Sequence, residues 1–397
     1  MQENYHAVVA GHICLDVIPD LTTTTRGDLS RVLTPGRLLE VGPVSFSTGG
    51  PVSNTGLVMH KLGISTQLMG KVGNDLFGRA VLQIMASYNP HLADGMVIDE
   101  NVSTSYSIII NWPNVDRIFL HCPGANDTFC ADDLGYDLVK QARLFHFGYP
   151  PLMRMMYDDG GLQLAEIYRR SKETGVTTSL DMALPDPTSA AGRANWMQIL
   201  QATLPYVDIF MPSIAEILYV LRRETFDELW SAARGSNILS LITPELLSDL
   251  STQLIQMGVK IIGLKLGERG LYLRTAEGAA IKSLGRACPS DPDIWANREM
   301  WIACFQVNVV GTTGSGDATI AGFLSALLRD MSPEETVTAA VAVGACNVEA
   351  ADALSGIRPW EETLQRVRSG WRRHELSLTS SNWRFDKSHQ LWVGPCQ

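Results

Sequence analysis

No stretch of this chain reaches the ~18 consecutive apolar residues that a membrane-spanning helix needs, which argues against a membrane partner. No two cysteines form a CxxC pair, so zinc ribbons and thioredoxin-type redox chemistry are excluded. The seven cysteines are odd in number and scattered from Cys14 to Cys396. The eight histidines include neither HExxH nor HxH, so a histidine-held metal is not expected. The opening MQENYHAVVAGH lacks the basic start and apolar stretch of a secretory signal. Basic charge is short: 32 Lys and Arg against 42 Asp and Glu give a formal −10, leaving no general positive field for nucleic acid. A soluble, reduced, cytoplasmic protein is the expectation. Net charge does not forbid one local phosphate cleft.

The chain has 397 residues, 45% hydrophobic and 19% charged, which is ordinary globular composition. Length alone allows one large domain or two to three smaller ones. Short apolar runs alternate with helical patterns. Strands are expected at Ala7–Ala10, Gln67–Lys71, Leu144–Phe147, Thr177–Leu180, Val207–Met211 and Lys260–Leu264, with helices such as Gly161–Glu173 and Pro244–Met257 between them. This order predicts an α/β fold with a mainly parallel sheet, whose ligands gather at the carboxyl ends of strands. Asp16, Asp181 and Glu216 each follow an expected strand. Residues 21–47 and 102–129 break the alternation and suit a small accessory sheet. The tail beyond Gly370 carries Trp371, Trp383 and Trp392, which suit packing on the body.

The most informative segment runs Val307-Asn308-Val309-Val310-Gly311-Thr312-Thr313-Gly314-Ser315-Gly316-Asp317 into an apolar helix. It reads as strand, glycine loop, helix. Ile320, Phe323, Leu324, Leu327 and Leu328 mark one face of that helix. Gly314 and Gly316 let backbone N–H groups converge at the helix's positive end, an anion site. The Walker Lys and the GxGxxG spacing are both missing. Instead an acid, Asp317, follows the glycines. A carboxylate there makes sense if it takes a proton from an attacking hydroxyl while the amides hold a transferring phosphoryl group. The same residues also fit an Asp N-cap behind a tight turn.

A second glycine cluster lies upstream, Ser47-Thr48-Gly49-Gly50-Pro51-Val52-Ser53-Asn54-Thr55-Gly56, leading into a helix at 57–62 and then Gly63. Lys71-Val72-Gly73-Asn74-Asp75-Leu76-Phe77-Gly78 follows. Together the two clusters resemble the signatures of the PfkB, or ribokinase-like, carbohydrate kinases. Gly49, Gly50, Asn54, Leu62, Gly63, Gly70, Val72, Gly73, Asp75 and Gly78 meet the first signature; Thr312, Gly314, Gly316 and Asp317 meet the second. The resemblance spans about residues 5–365. It implies a three-layer α/β/α kinase domain over 1–370, with lid segments 21–47 and 102–129, and a C-terminal extension, 371–397, packed on it.

The resemblance also implies roles. Asp317 would be the general base, and the amides of Gly314, Ser315 and Gly316 the anion hole. Asp16, Gly49, Gly50 and Asn54 match positions that bind substrate hydroxyls. Lys265 and Gly267, in a Lys-Leu-Gly-Glu-Arg-Gly segment, together with Thr312 and Asn347, match the surroundings of ATP. Glu216 resembles the acid that orders Mg²⁺. The function implied is transfer of the γ-phosphate of MgATP to a hydroxyl of a sugar-like small molecule. A nucleoside kinase is the same-fold alternative, with Tyr106, Trp112 and Phe119 as lid aromatics. A non-catalytic sugar or nucleotide sensor is the other. Lids of this family often form dimer interfaces, so a homodimer through the lid is an expectation.

Departures from the family pattern are specific. Gly311 replaces an acid that helps place a monovalent cation, which argues against potassium activation. Ser213 replaces the Asn of N-x-x-E, while Ala183 and Pro185 replace the Asn and Arg of D-x-N-x-R. Three stretches exceed the pattern: near 225–250, near 286–306, and after 370.

Overall fold

The computed structural model describes residues 6–21, 35–36, 38–111, 118–234, 237–378 and 380–395. Ala7–Gly11 and Leu144–Gly148 are wholly buried strands. Strands buried along their whole length, apolar apart from His146, require cover on both faces of a sheet. That cover is present. Along the first strand, Ala7 and Val9 join one buried cluster with Leu57 and Phe323, while Val8 and Ala10 join another with Phe145 and Tyr168. The result is a three-layer α/β/α body.

Among the described residues the main sheet has ten strands. From one edge, Thr66–Met69, Ala7–Gly11, Leu144–Gly148, Thr177–Leu180, Ile209–Phe210 and Ile261–Lys265 pair in parallel. Leu271–Thr275, Glu299–Ile302, Leu391–Val393 and Arg384–Asp386 then continue it antiparallel. The residues after 370 thus supply the last two strands of the sheet. A separate four-stranded sheet contains Val44–Gly49, Cys14–Pro19, Tyr106–Ile110 and Ile118–Cys122, in that order. It takes in one strand from before residue 21. Most of 21–47, and Trp112 with its neighbours, lie outside the described residues.

Three expectations need correction. The segment 67–71 is not one strand, because Gly70 separates Thr66–Met69 from Lys71–Gly73. The helix expected at 57–62 is Pro51–Lys61; Pro51 has its φ preset and lacks the N–H that a first helical turn leaves unused. Val307–Val310 form no strand: Val310 N donates to Val348 O (2.8 Å), and the side chains of Val309 and Val310 are exposed. Their β-branched run reflects a loop beside a cavity rather than a sheet position.

Candidate active site

Asp317 lies in the first turn of the helix Ser315–Leu328 and is buried. Gly314 precedes it in the left-handed region (φ 71°), and an added Cβ there would sit 2.7 Å from Cβ of Ala353. Only glycine makes this turn without strain. Asn54 Nδ2 donates to Asp317 Oδ2 at 3.0 Å, Tyr149 OH to the same oxygen at 2.9 Å, and Thr55 Oγ1 to Oδ1 at 3.3 Å. Burial raises the Asp317 pKa; Asn54, Lys265, Tyr149 and Thr55 pull it back. The carboxylate is therefore a fixed, hydrogen-bonded and strengthened base. Ser315 N is engaged by Thr312 O (3.3 Å), whereas α-helical geometry gives the N–H groups of Gly316 and Asp317 no acceptor within the helix.

A cavity of about 580 Å³ opens beside this turn. Its lining includes Thr312, Ser315, Gly316, Lys265 and Gly267, so five of the residues expected around a nucleotide meet there. Lys265 lies over Gly316: a Cβ at Gly316 would be 3.6 Å from Lys265 Nζ. Nζ also donates to Asp181 Oδ1 at 2.5 Å. Burial disfavours charge on Lys265, yet Asp181, Glu216 and Asp317 hold its pKa above the ordinary value. Burial raises Asp181 and Glu216, with Lys265 working against it. One cation thus faces two buried carboxylates, Asp181 and Asp317, and the half-buried Glu216, and Asp181 Oδ2 is buried without a partner. Glu216 also has a structural task. Its Oε2 accepts from Ser213 N (2.6 Å) while Ser213 Oγ accepts from Glu216 N (3.2 Å), a capping box on the helix Ile214–Leu221. Serine caps as well as asparagine does, which explains the departure at Ser213.

Asn347 does not line the cavity. It is fully buried, and its Nδ2 donates to Ala353 O (2.7 Å), fixing the turn against which Gly314 packs. At Gly311 an added Cβ would sit 2.9 Å from the carbonyl oxygens of Ala350 and Ala351, so the backbone there leaves no room for the family's acid.

On the other side of Asp317 the first glycine cluster meets the small sheet. A Cβ on Gly49 would be 2.6 Å from Asp16 Oδ2, and one on Gly50 (φ 89°) 2.4 Å from His12 O. These glycines let the helix carrying Asn54 start directly against Asp16 and His12. Burial raises Asp16 to about 6, against hydrogen bonds from Cys14 and Ser107. His12 Nε2 and His121 Nε2 are 3.4 Å apart, although 109 residues separate them, and His121 Nδ1 meets Ser107 Oγ at 3.0 Å. Burial, then His121, lowers His12 to about 3, so this imidazole is neutral. Ligand atoms of His12, Cys14 and His121 all lie within 4.8 Å of one another. The sequence showed no local histidine pair; folding brings His12 and His121 together from distant positions.

Tyr149, Thr55 and His121 were missed from the sequence. Tyr149 follows the carboxyl end of the strand Leu144–Gly148, a position where ligand groups gather, and its backbone is left-handed (φ 63°, ψ 43°). A tyrosine there has no local motif to announce it.

Residues 6–359 match the family described as pfkB family carbohydrate kinase. The rice (Oryza sativa subsp. japonica) fructokinase-2 is 25% identical over 327 residues, 81% of this chain and 80% of that one. An Arabidopsis thaliana ribokinase complexed with ribose and ATP superposes with a TM-score of 0.66 at 19% identity, covering 91% of this chain and 98% of its own. A Xylella fastidiosa fructokinase with bound ATP does so with the same score and coverage at 17% identity. No helix among the described residues is long and apolar enough to cross a membrane. With both glycine clusters converging on one buried aspartate and the match running through nearly the whole chain, this protein belongs to the PfkB family of carbohydrate kinases.

Proposed function

We propose that this kinase moves the γ-phosphate of ATP to a hydroxyl of a sugar, with Asp317 as general base. The observation that carries this reading is the position of Asp317. It stands between Gly316 and Lys265 at the cavity on one side and Asn54, Asp16 and the paired glycines on the other. Asp317 accepts the proton as the acceptor oxygen bonds to phosphorus, the bond to ADP breaks, and ADP leaves with the electron pair. Lys265 and the helix N-terminus offset charge on the transferring group. Asn54 and Asp16 hold neighbouring hydroxyls and align the attacking one. Tyr149, Thr55 and Asn54 keep Asp317 ionised and fixed.

Mg²⁺ fits the donor side. Asp181 and Glu216 offer hard carboxylate oxygens, one without a partner, in a pocket with excess negative charge. When bound, Mg²⁺ supplies charge neutralisation on the phosphates. Gly311, closed in by backbone carbonyls, supports activity independent of potassium. The small sheet would close over the acceptor and exclude water. Its strands leave Val44, Phe46 and Leu120 exposed on one face, an apolar surface suited to a second copy's small sheet.

The test is phosphoryl transfer from ATP across a panel of sugars and nucleosides, with products identified by ³¹P NMR. A sugar phosphate as the main product is expected. Transfer to nucleosides alone, or to nothing, overturns the reading.

A further inference from the structure

The three stretches that exceed the family pattern, near 225–250, near 286–306 and after 370, are far apart in sequence. They meet at one wall of the 580 Å³ cavity, to which they contribute Asn237 and Leu239, Cys304 and Phe305, and His374 respectively.

The junction is tightly bonded. Arg269 joins the first stretch to the second: its Nη1 donates to Leu239 O (2.5 Å) and Ile242 O (2.8 Å), and its guanidinium lies 4.5 Å from the Trp301 ring centroid. Trp301 Nε1 donates back to Arg269 O at 2.9 Å. The second stretch is bonded to the third. His374 N donates to Cys304 O (2.9 Å), Gln306 N to Arg372 O (2.8 Å) and Trp371 Nε1 to Gln306 O (2.9 Å). The Trp371 ring stacks on Phe305, with centroids 4.4 Å apart, and the Arg373 guanidinium lies 4.4 Å from the same centroid. Further on, Trp392 Nε1 donates to Leu376 O (2.8 Å), and the strand Leu391–Val393 pairs with Glu299–Ile302. The extension is fastened at both ends to the segment it covers.

We infer that these three stretches form a composite subsite for the base of the nucleotide donor and set donor preference. The inference rests on reading the cavity as the nucleotide site. Phosphate recognition by Lys265 and the glycine turn is blind to the base, because every nucleoside triphosphate offers the same phosphates. The composite wall provides what that end lacks. Phe305 and Leu239 give apolar cover alongside Val307, Val341 and Ala345, while Asn237 and His374 bring hydrogen-bonding edges. Both polar residues are exposed, so changing them leaves the core intact. Asn237 Oδ1 caps the turn at Leu239 (2.9 Å), leaving its amide N–H₂ as the group offered to a ligand.

The test is calorimetric binding of ATP and of GTP to the full chain and to His374→Ala and Asn237→Asp. The aspartate keeps the capping oxygen and removes the N–H₂ donor. The expected result is a change of about fivefold or more in the ATP-to-GTP affinity ratio for at least one variant, with an unchanged melting temperature. The acceptor KM, measured in parallel, stays within about twofold. If both variants keep the wild-type ATP and GTP affinities within about twofold, the inference fails and the kinase reading stands. If the wild-type chain binds neither nucleotide, the reading of the cavity fails and takes the inference with it.

Discussion

The proposed donor side of Asp317 is roomy and largely apolar, built from Tyr149 and residues between 181 and 374; the proposed acceptor side is close-packed and polar, built mostly from residues 12–126. On the proposed donor side, recognition would depend on backbone amides, Lys265 and a mostly apolar wall carrying only the polar edges of Asn237 and His374. On the acceptor side it depends on buried groups that already make specific bonds, and two buried atoms there, His12 Nδ1 and Asn54 Oδ1, have no partner. A site of the first kind tolerates change, whereas a site of the second kind rejects a molecule that cannot complete its hydrogen bonds. The pattern suits a kinase strict about its sugar, with Asp317 the carboxylate proposed to serve both halves.

The largest test of that division is Asp317→Asn. It should lower kcat by about a hundred- to ten-thousand-fold, the usual range for a lost general base. ATP affinity by calorimetry should hold or improve, because a negative charge beside the phosphates is gone. A proportional loss of binding would mean that Asp317 belongs to the donor half alone.

Gly49→Ala is next. Its methyl would meet Asp16 Oδ2 at 2.6 Å, so the acceptor KM should rise about tenfold while the ATP KM stays level. Steady-state kinetics with each substrate varied in turn separates the two. Equal rises would merge the halves that the geometry divides.

A smaller effect on turnover, but a clear one on stability, belongs to Asp16→Asn. The folded pKa of Asp16, about 6, is above its ordinary 3.8. Between these values the folded state binds more protons than the unfolded, so this contribution to stability is lost as pH rises through that window. Above pH 6 the ionised buried carboxylate costs up to about 3 kcal/mol, which the amide avoids. The variant should melt higher than wild type at pH 7.5 and gain nothing at pH 4, while its acceptor KM rises. Equal gains at both pH values would assign the effect to packing instead of charge.

Much of this arrangement was legible in the sequence. The two glycine clusters and Asp317 announce themselves because backbone geometry, turn chemistry and a helix start all demand particular residues at fixed spacing. The buried strands, expected at Ala7–Ala10 and Leu144–Phe147, read directly from short runs that are apolar apart from His146. What stayed hidden depends on contacts between distant residues. Tyr149 reaches Asp317 across 168 positions, and His12 meets His121 across 109, so no local pattern encodes either pair. Asn347 misled for the converse reason: its place on the chain is near the cavity, but its amide is taken by Ala353 O. The valines at 307–310 look like a strand because β-branched residues suit extended backbone wherever it occurs.

In the proposed mechanism Asp317 acts as a base whose proton affinity is set by burial and trimmed by Tyr149. The most direct measurement is the pH dependence of kcat at saturating sugar and ATP, in wild type and in Tyr149→Phe. Burial places the acid limb of the wild-type profile above the ordinary aspartate range, with activity falling as pH drops through it. Tyr149→Phe removes a donor that favours the ionised form, so its limb moves to higher pH. Superimposable acid limbs, or a Tyr149→Phe limb displaced to lower pH, would contradict the account.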